Sequence, residues 1–167
     1  MFELRDRDGL ARVGFIETKH GRVSTPNLAP VIHPLRQETT ARELRERFGA
    51  EIVMTNAYTL WRSDSKERAA SAGLHRLLDF DGPIMTDSGA FQSYVYGDLA
   101  VSNRDIVSFQ RDIGSDLGTV LDIFSEPEHG WQRVERDMGE TLVRTTEAVA
   151  VKGEMNLVGA VQGGCMK

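Results

Sequence analysis

Within six residues, Asp87 to Gln92 (DSGAFQ), the chain sets a carboxylate, a hydroxyl, a glycine, an aromatic ring and an amide. A carboxylate at a strand end can act as nucleophile or as general acid/base, although the same residue type often serves as a helix N-cap. Ser88 and Gly89 can offer backbone N–H groups to an anion or polar ligand, or simply make a turn. Phe91 can stack on a planar base or pack in a core. Gln92 can hydrogen-bond the edge of a heterocycle. Two later stretches add to this set. Asp122 closes TVLD, and a carboxylate there can accept two hydrogen bonds from an N–H/NH₂ edge such as the one guanine offers. Gln162 can donate to a carbonyl, and Gly163 and Gly164 let a ligand approach the backbone. Two carboxylates and an aromatic favour a planar, nitrogen-rich ligand.

These groups need strands to carry them to one place. Four short apolar runs each end in polar residues: EIVMTN (51–56), PIMTDS (83–88), TVLD (119–122) and LVGAVQ (157–162). APVIHP (29–34) is a possible fifth, bounded by prolines. Helical patterns lie between them. Thr40 and Glu43 have capping-box spacing ahead of Leu44 and Phe48, with Gly49 as a stop. Ser102 and Asp105 repeat the device before Ile106, Phe109 and Ile113. Val134, Met138, Leu142 and Val149 mark a longer amphipathic helix over 132–152. Alternation of strand and helix predicts a parallel α/β sheet. Its polar residues Asn56, Asp87, Asp122 and Gln162 fall at the carboxyl ends of the strands, where such sheets keep their chemistry. A glycine-rich phosphate loop is absent, which favours a barrel over a doubly wound sheet. Residues 1–26 read as an antiparallel β-hairpin unit with a turn at Gly21. Residues 27–167 supply four to five βα units. A closed barrel takes about 250 residues, so the expected fold is part of a (β/α)₈ TIM barrel.

The 167 residues are 40% hydrophobic and 27% charged, ordinary for a soluble domain. A net charge of -5 excludes a chain that grips nucleic acid by bulk charge. Cys165 is the single cysteine, so no internal disulfide or thiolate cluster can form. His20, His33, His75 and His129 lack the close spacing that puts two ligands on one face, and no metal site is expected among these residues. Nothing resembles a signal peptide or a membrane span, so a cytoplasmic location is expected.

DSGAFQ resembles the D-S-G-x-F-Q motif of the tRNA-guanine transglycosylases. FELRDRDGLARVG at the start, the VSNR block within YGDLAVSNRDIVSFQRDIGSDLGTVLDI, and VQGG near the end resemble the archaeal, archaeosine-forming branch. The resemblance implies a TIM-barrel enzyme that replaces guanine 15 of the tRNA D-arm with 7-cyano-7-deazaguanine (preQ0). The ribose would be held covalently on an aspartate. It implies catalysis by Asp87, with a later aspartate as its partner. It also implies a base pocket of Ser88, Gly89, Phe91, Gln92, Asp122, Gln162, Gly163 and Gly164. Residue 90 is Ala where relatives often carry Gly or Ser. The partner aspartate, a Cys/Cys/Cys/His zinc site and the C-terminal tRNA-binding domains are expected beyond Lys167. The chain then reads as the N-terminal part of the catalytic domain, with tRNA and preQ0 or guanine as partners. Completion would come in a full-length homodimer or from a separate chain. Alternatives are a non-catalytic base- or tRNA-binding subunit, which an intact DSGAFQ disfavours, and a bacterial-type enzyme inserting preQ1, which the VSNR block disfavours.

Overall fold

The computed structural model describes residues 2–97 and 101–162. It is a mixed α/β structure with two sheets. The first is antiparallel, order β1-β2-β3, from Phe2–Asp8, Ala11–Thr18 and Gly21–Thr25. The N-terminal unit therefore has three strands. Its outer residues Phe2, Leu4 and Val13 stay about half exposed, so their alternation marks a strand but not a buried face.

Helix α1, Ala41–Phe48, starts where the capping box places it. Glu43 N–H donates to Thr40 Oγ1 at 3.1 Å, and Thr40 N–H donates to Glu43 Oε2 at 3.0 Å. Gly49 ends it at φ 69°. Ala41 is buried and Leu44 packs on the core, but Phe48 lies exposed in the last turn. Arg42 and Arg45 reach Asp79 and Asp81 as exposed ion pairs, consistent with a solvated helix face.

The second sheet is parallel. Its strands β4 (Val53–Asn56), β5 (Ile84–Asp87), β6 (Leu117–Thr119) and β7 (Asn156–Val158) lie in chain order, β4-β5-β6-β7. APVIHP adds one parallel bridge beside β4, Val31 to Met54, flanked by its prolines. A period of two sorts each strand's side chains. Val53, Thr55, Ile84 and Thr86 are buried, and the apolar pair joins the main core under the helices. Met54, Asn56, Met85 and Asp87 alternate with them and are only half-buried. Asn56 and Asp87 are direct partners in the register, so the sheet itself sets them side by side.

TVLD is displaced. The strand is Leu117–Thr119, and Val120–Asp122 turn away, with the Asp122 N–H on the Val120 carbonyl at 3.0 Å. Asp122 thus sits in a loop past the strand end rather than on the strand. The connections are also more helical than the apolar patterns predict. Helices α2 (Ala57–Trp61), α3 (Lys66–Ala72) and α4 (Leu74–Leu78) join β4 to β5. Helix α5, Ala90–Tyr96, begins right after DSG, and α6, Asn103–Asp112, follows with Ser102 as its cap. Ile106, Phe109 and Ile113 are buried as the spacing predicts. Helix α7, Trp131–Val151, buries Val134, Asp137, Thr141 and Ala148, whereas Leu142 and Val149 are exposed. Its buried stripe includes polar residues because these brace the loop that carries Asp122.

Beneath the sheet's helix-facing side, Gln110 of α6 is fully buried. Its Oε1 accepts from Thr86 Oγ1 at 2.8 Å and from Thr119 N–H at 3.0 Å, and its Nε2 donates to the Thr119 carbonyl at 2.9 Å. At the amino ends of the parallel strands the β2–β3 hairpin docks. Val23 packs with Ile52 and Leu117, and Asn156 Nδ2 donates to the Glu17 carbonyl at 2.9 Å. Among the described residues no helix is long and apolar enough to cross a membrane.

Candidate active site

The carboxyl ends of the parallel strands gather the candidate residues into two hydrogen-bonded pairs. In the first, Asn56 Nδ2 donates to Asp87 Oδ2 at 2.8 Å and to Gln92 Oε1 at 3.2 Å. The amide of Asn56 cannot turn freely. Its Oδ1 accepts from Thr59 N–H at 2.8 Å as the N-cap of α2, which leaves the NH₂ facing Asp87. The other carboxylate oxygen, Asp87 Oδ1, accepts from Gly89 N–H at 3.3 Å. Asn56 is the residue whose importance the sequence understates. The signal was an asparagine at a strand end just ahead of a helix.

Gly89 holds a position no other residue fits well. Its φ is 95°, and a Cβ there would meet Tyr58 Cβ at 2.5 Å. This turn swings the chain from β5 directly into α5. Ser88 lies fully buried below it. Its hydroxyl donates to the Val120 carbonyl at 2.9 Å, and its N–H donates to Thr119 Oγ1 at 2.8 Å. Ser88 therefore ties the DSG turn to the loop after β6.

In the second pair, Gln162 Nε2 donates to Asp122 Oδ2 at 2.8 Å and to the Ile123 carbonyl at 2.7 Å. Gln162 Oε1 is buried and has no hydrogen-bond partner among the described residues. Burial raises the Asp122 carboxyl above the usual aspartate range, and the nearby charge of Asp87 pushes the same way, opposed by the Gln162 hydrogen bond and by Arg144. Helices α6 and α7 hold this loop. Asn103 Oδ1 accepts from Leu121 N–H at 3.2 Å, Arg144 donates to the Leu121 carbonyl at 3.0 Å, and Thr141 accepts from Ile123 N–H at 3.0 Å. Asn103 belongs to the VSNR block, so part of that block is a buried brace rather than a solvated face.

Phe91 is 56% exposed and meets Phe124 edge to face, with ring centroids 6.1 Å apart. Both rings are partly exposed, Phe91 in α5 after the DSG turn and Phe124 in the loop after Asp122. Gly163, Gly164 and Cys165 lie outside the described residues.

The family model described as queuine tRNA-ribosyltransferase matches residues 6–167. The chain belongs to this family. Among curated proteins it is 48% identical over 164 residues to the tRNA-guanine(15) transglycosylase of Methanothermobacter thermautotrophicus, covering 98% of this chain and 24% of that protein. It is 44% identical to the protein of the same name from Thermoplasma acidophilum, covering 97% and 25%. It is also 44% identical to that from Archaeoglobus fulgidus, covering 97% and 34%. The chain thus spans about a quarter to a third of the length of these relatives.

Proposed function

We propose that this chain carries the base-binding part of the active site of a transferase that replaces guanine 15 of tRNA with preQ0 in archaeosine synthesis. The observation that carries the reading is the placement of Asp87 and Asp122, each held by an amide, at one end of a parallel sheet beside Phe91. In this reading the sheet is four consecutive βα units of a TIM barrel, supported by the sequential order β4-β5-β6-β7. The domain spans 1–167 as the N-terminal part of the barrel, with 1–26 as the hairpin unit.

The proposed roles come from the resemblance, and the positions of Asp87, Asp122 and Gln162 support them. Phe91 stacks on the flipped base. Asp122 accepts from the N1–H and 2-amino edge of guanine or preQ0, and Gln162 turns its amide to the base carbonyl. The Asp122–Gln162 hydrogen bond then opens to admit the base. Ser88, Gly89, Gln92, Gly163 and Gly164 complete the pocket, Ser88 as its floor. Asp87 acts at the sugar carbon. One of Asp87 and its partner aspartate attacks that carbon and breaks the bond to guanine, while the other donates the proton with which guanine leaves. The incoming base then displaces the attacking aspartate from the same carbon and returns its ring proton to the other. Asn56 and the Gly89 N–H hold the Asp87 oxygens during this exchange.

The zinc expected by resemblance takes a Cys/Cys/Cys/His set. This chain has one cysteine and does not supply it, so no step is routed through that ion. A cytoplasmic location and assembly with tRNA as a homodimer, or with a chain supplying the rest of the barrel, belong to the same proposal.

The test is base exchange. Labelled guanine already in tRNA is chased with preQ0 using this chain alone, this chain within or alongside the remainder of the enzyme, and the Asp87→Ala form of each. Exchange that needs the remainder and vanishes in Asp87→Ala supports the proposal. Binding of preQ0 or tRNA without exchange in the completed enzyme would establish a binding subunit instead.

A further inference from the structure

At the opposite end of the strands, three residues distant in sequence converge. Asp116 stands just before β6, His75 lies in α4, and His20 occupies the β2–β3 turn. His20 Nδ1 is 2.9 Å from Asp116 Oδ1, and His75 Nε2 is 3.0 Å from Asp116 Oδ2. One ligand atom from each of the three lies within 4.8 Å of the others. The imidazoles stack with centroids 3.6 Å apart. The Asp116 side chain is fully buried, whereas the His20 ring is about one-third exposed.

We propose that His20, His75 and Asp116 form a binding site for a divalent transition-metal ion of the zinc class, pinning the N-terminal hairpin to the parallel sheet. Two imidazoles and one carboxylate suit such ions, and three protein ligands leave a coordination position for water. Water has access, because His20 and Asp116 line a cavity of about 330 Å³ with Ser115 and Asn156. The carboxylate is also oriented by two backbone amides. Ile84 N–H donates to Asp116 Oδ2 at 3.0 Å, and His20 N–H donates to Oδ1 at 3.2 Å. Such outer hydrogen bonds hold a ligand in place without occupying the metal. Arg111 and Lys19 line the same cavity together with Glu154, and Arg111 is engaged with Asp112 and the Val151 carbonyl.

Binding balances without a redox partner. Each neutral imidazole carries its one proton on the ring nitrogen away from the ion. The ion replaces the two N–H bonds that now reach Asp116. The site is independent of the base-exchange reading, being built at the other end of the sheet.

The experiment uses the chain stripped with a chelator, then titrated with Zn²⁺ against a chromophoric competitor, and with Co²⁺ monitored by its visible absorption. One equivalent is expected to bind and to raise the melting temperature. His20→Gln and His75→Gln are each expected to lose at least about tenfold in affinity, by comparison with second-sphere changes that already cost that much. Cys165→Ala should bind as the parent does. Asp116→Asn is a poorer probe, since four N–H groups converge on that carboxylate and the variant risks misfolding; circular dichroism of His20→Gln checks that its fold is intact. Absence of binding by the parent chain, or binding unchanged in both histidine variants, overturns the proposal and leaves a purely hydrogen-bonded clamp.

Discussion

At the scale of single residues, the site depends on donors that face carboxylates. Asn56→Asp keeps a side chain able to cap α2 but replaces the donor to Asp87 with a second negative charge. In the complete enzyme, kcat for base exchange is expected to fall roughly 100-fold. Its acid limb should move to higher pH, because two facing carboxylates resist joint ionisation. Asp122 makes a prediction of opposite sign for stability. Its pKa is raised in the folded chain, so the folded state holds its proton longer than the unfolded one. Stability is then lost as pH rises from the ordinary aspartate value through the raised one. Asp122→Asn is expected to melt at a higher temperature than the parent at pH 7, with the advantage shrinking in acid, while preQ0 affinity is abolished. Gly89→Ala places a side chain at φ 95° against Tyr58 and should destabilise by about 1–3 kcal/mol or more in denaturant titration. The glycine and Asp87 are visible in the motif itself, and Asp122 at the end of TVLD. That Ser88 is a brace is not, because its partners Thr119 and Val120 lie some thirty residues away and only the sheet brings them close.

Between element and element, the strands were legible where apolar runs are long and the helices where caps are present. Thr40 and Ser102 mark α1 and α6 through chemistry local to a few residues. Helices α2 to α5 are only five to seven residues long, so little periodicity builds up. The β6 boundary was misplaced because Val120 and Leu121 are as apolar as a strand but are buried by a loop folded under α6 and α7. The least legible feature is Gln110, a polar residue within an apolar helix face. Gln110→Leu would leave the Thr119 N–H and carbonyl with unmet hydrogen bonds in the core, while Thr86 Oγ1 keeps its bond to Ser115 Oγ. A loss of about 3 kcal/mol is expected by urea unfolding, from penalties of about 1–3 kcal/mol per buried orphan group.

For the molecule as a whole, the hairpin's packing and the proposed site lie at opposite ends of one sheet. The hairpin contacts of Val23, Asn156 and His20 lie at the amino ends of the strands, and Asp87 and Asp122 at the carboxyl ends. Val23→Ala is expected to cost roughly 2 kcal/mol in thermal or urea unfolding. At temperatures where the variant is folded, its preQ0 affinity should match the parent's. A change in affinity of tenfold or more would show that the two ends are coupled. The parallel architecture was foreseeable from alternating runs and helices. The convergence of His20, His75 and Asp116 was not, since 41 to 96 residues separate Asp116 from its two partners.

The place of β5 between two neighbours has a further consequence. Met85 and Thr86 pair with β4 on one side and β6 on the other. Backbone amides in such a strand take up deuterium from heavy water only when the sheet itself separates. The residues leading into Asp87 should be among the last to become labelled. Their labelling rate, read by mass spectrometry, then gives the opening free energy of the strand that presents the aspartate, with no substrate present.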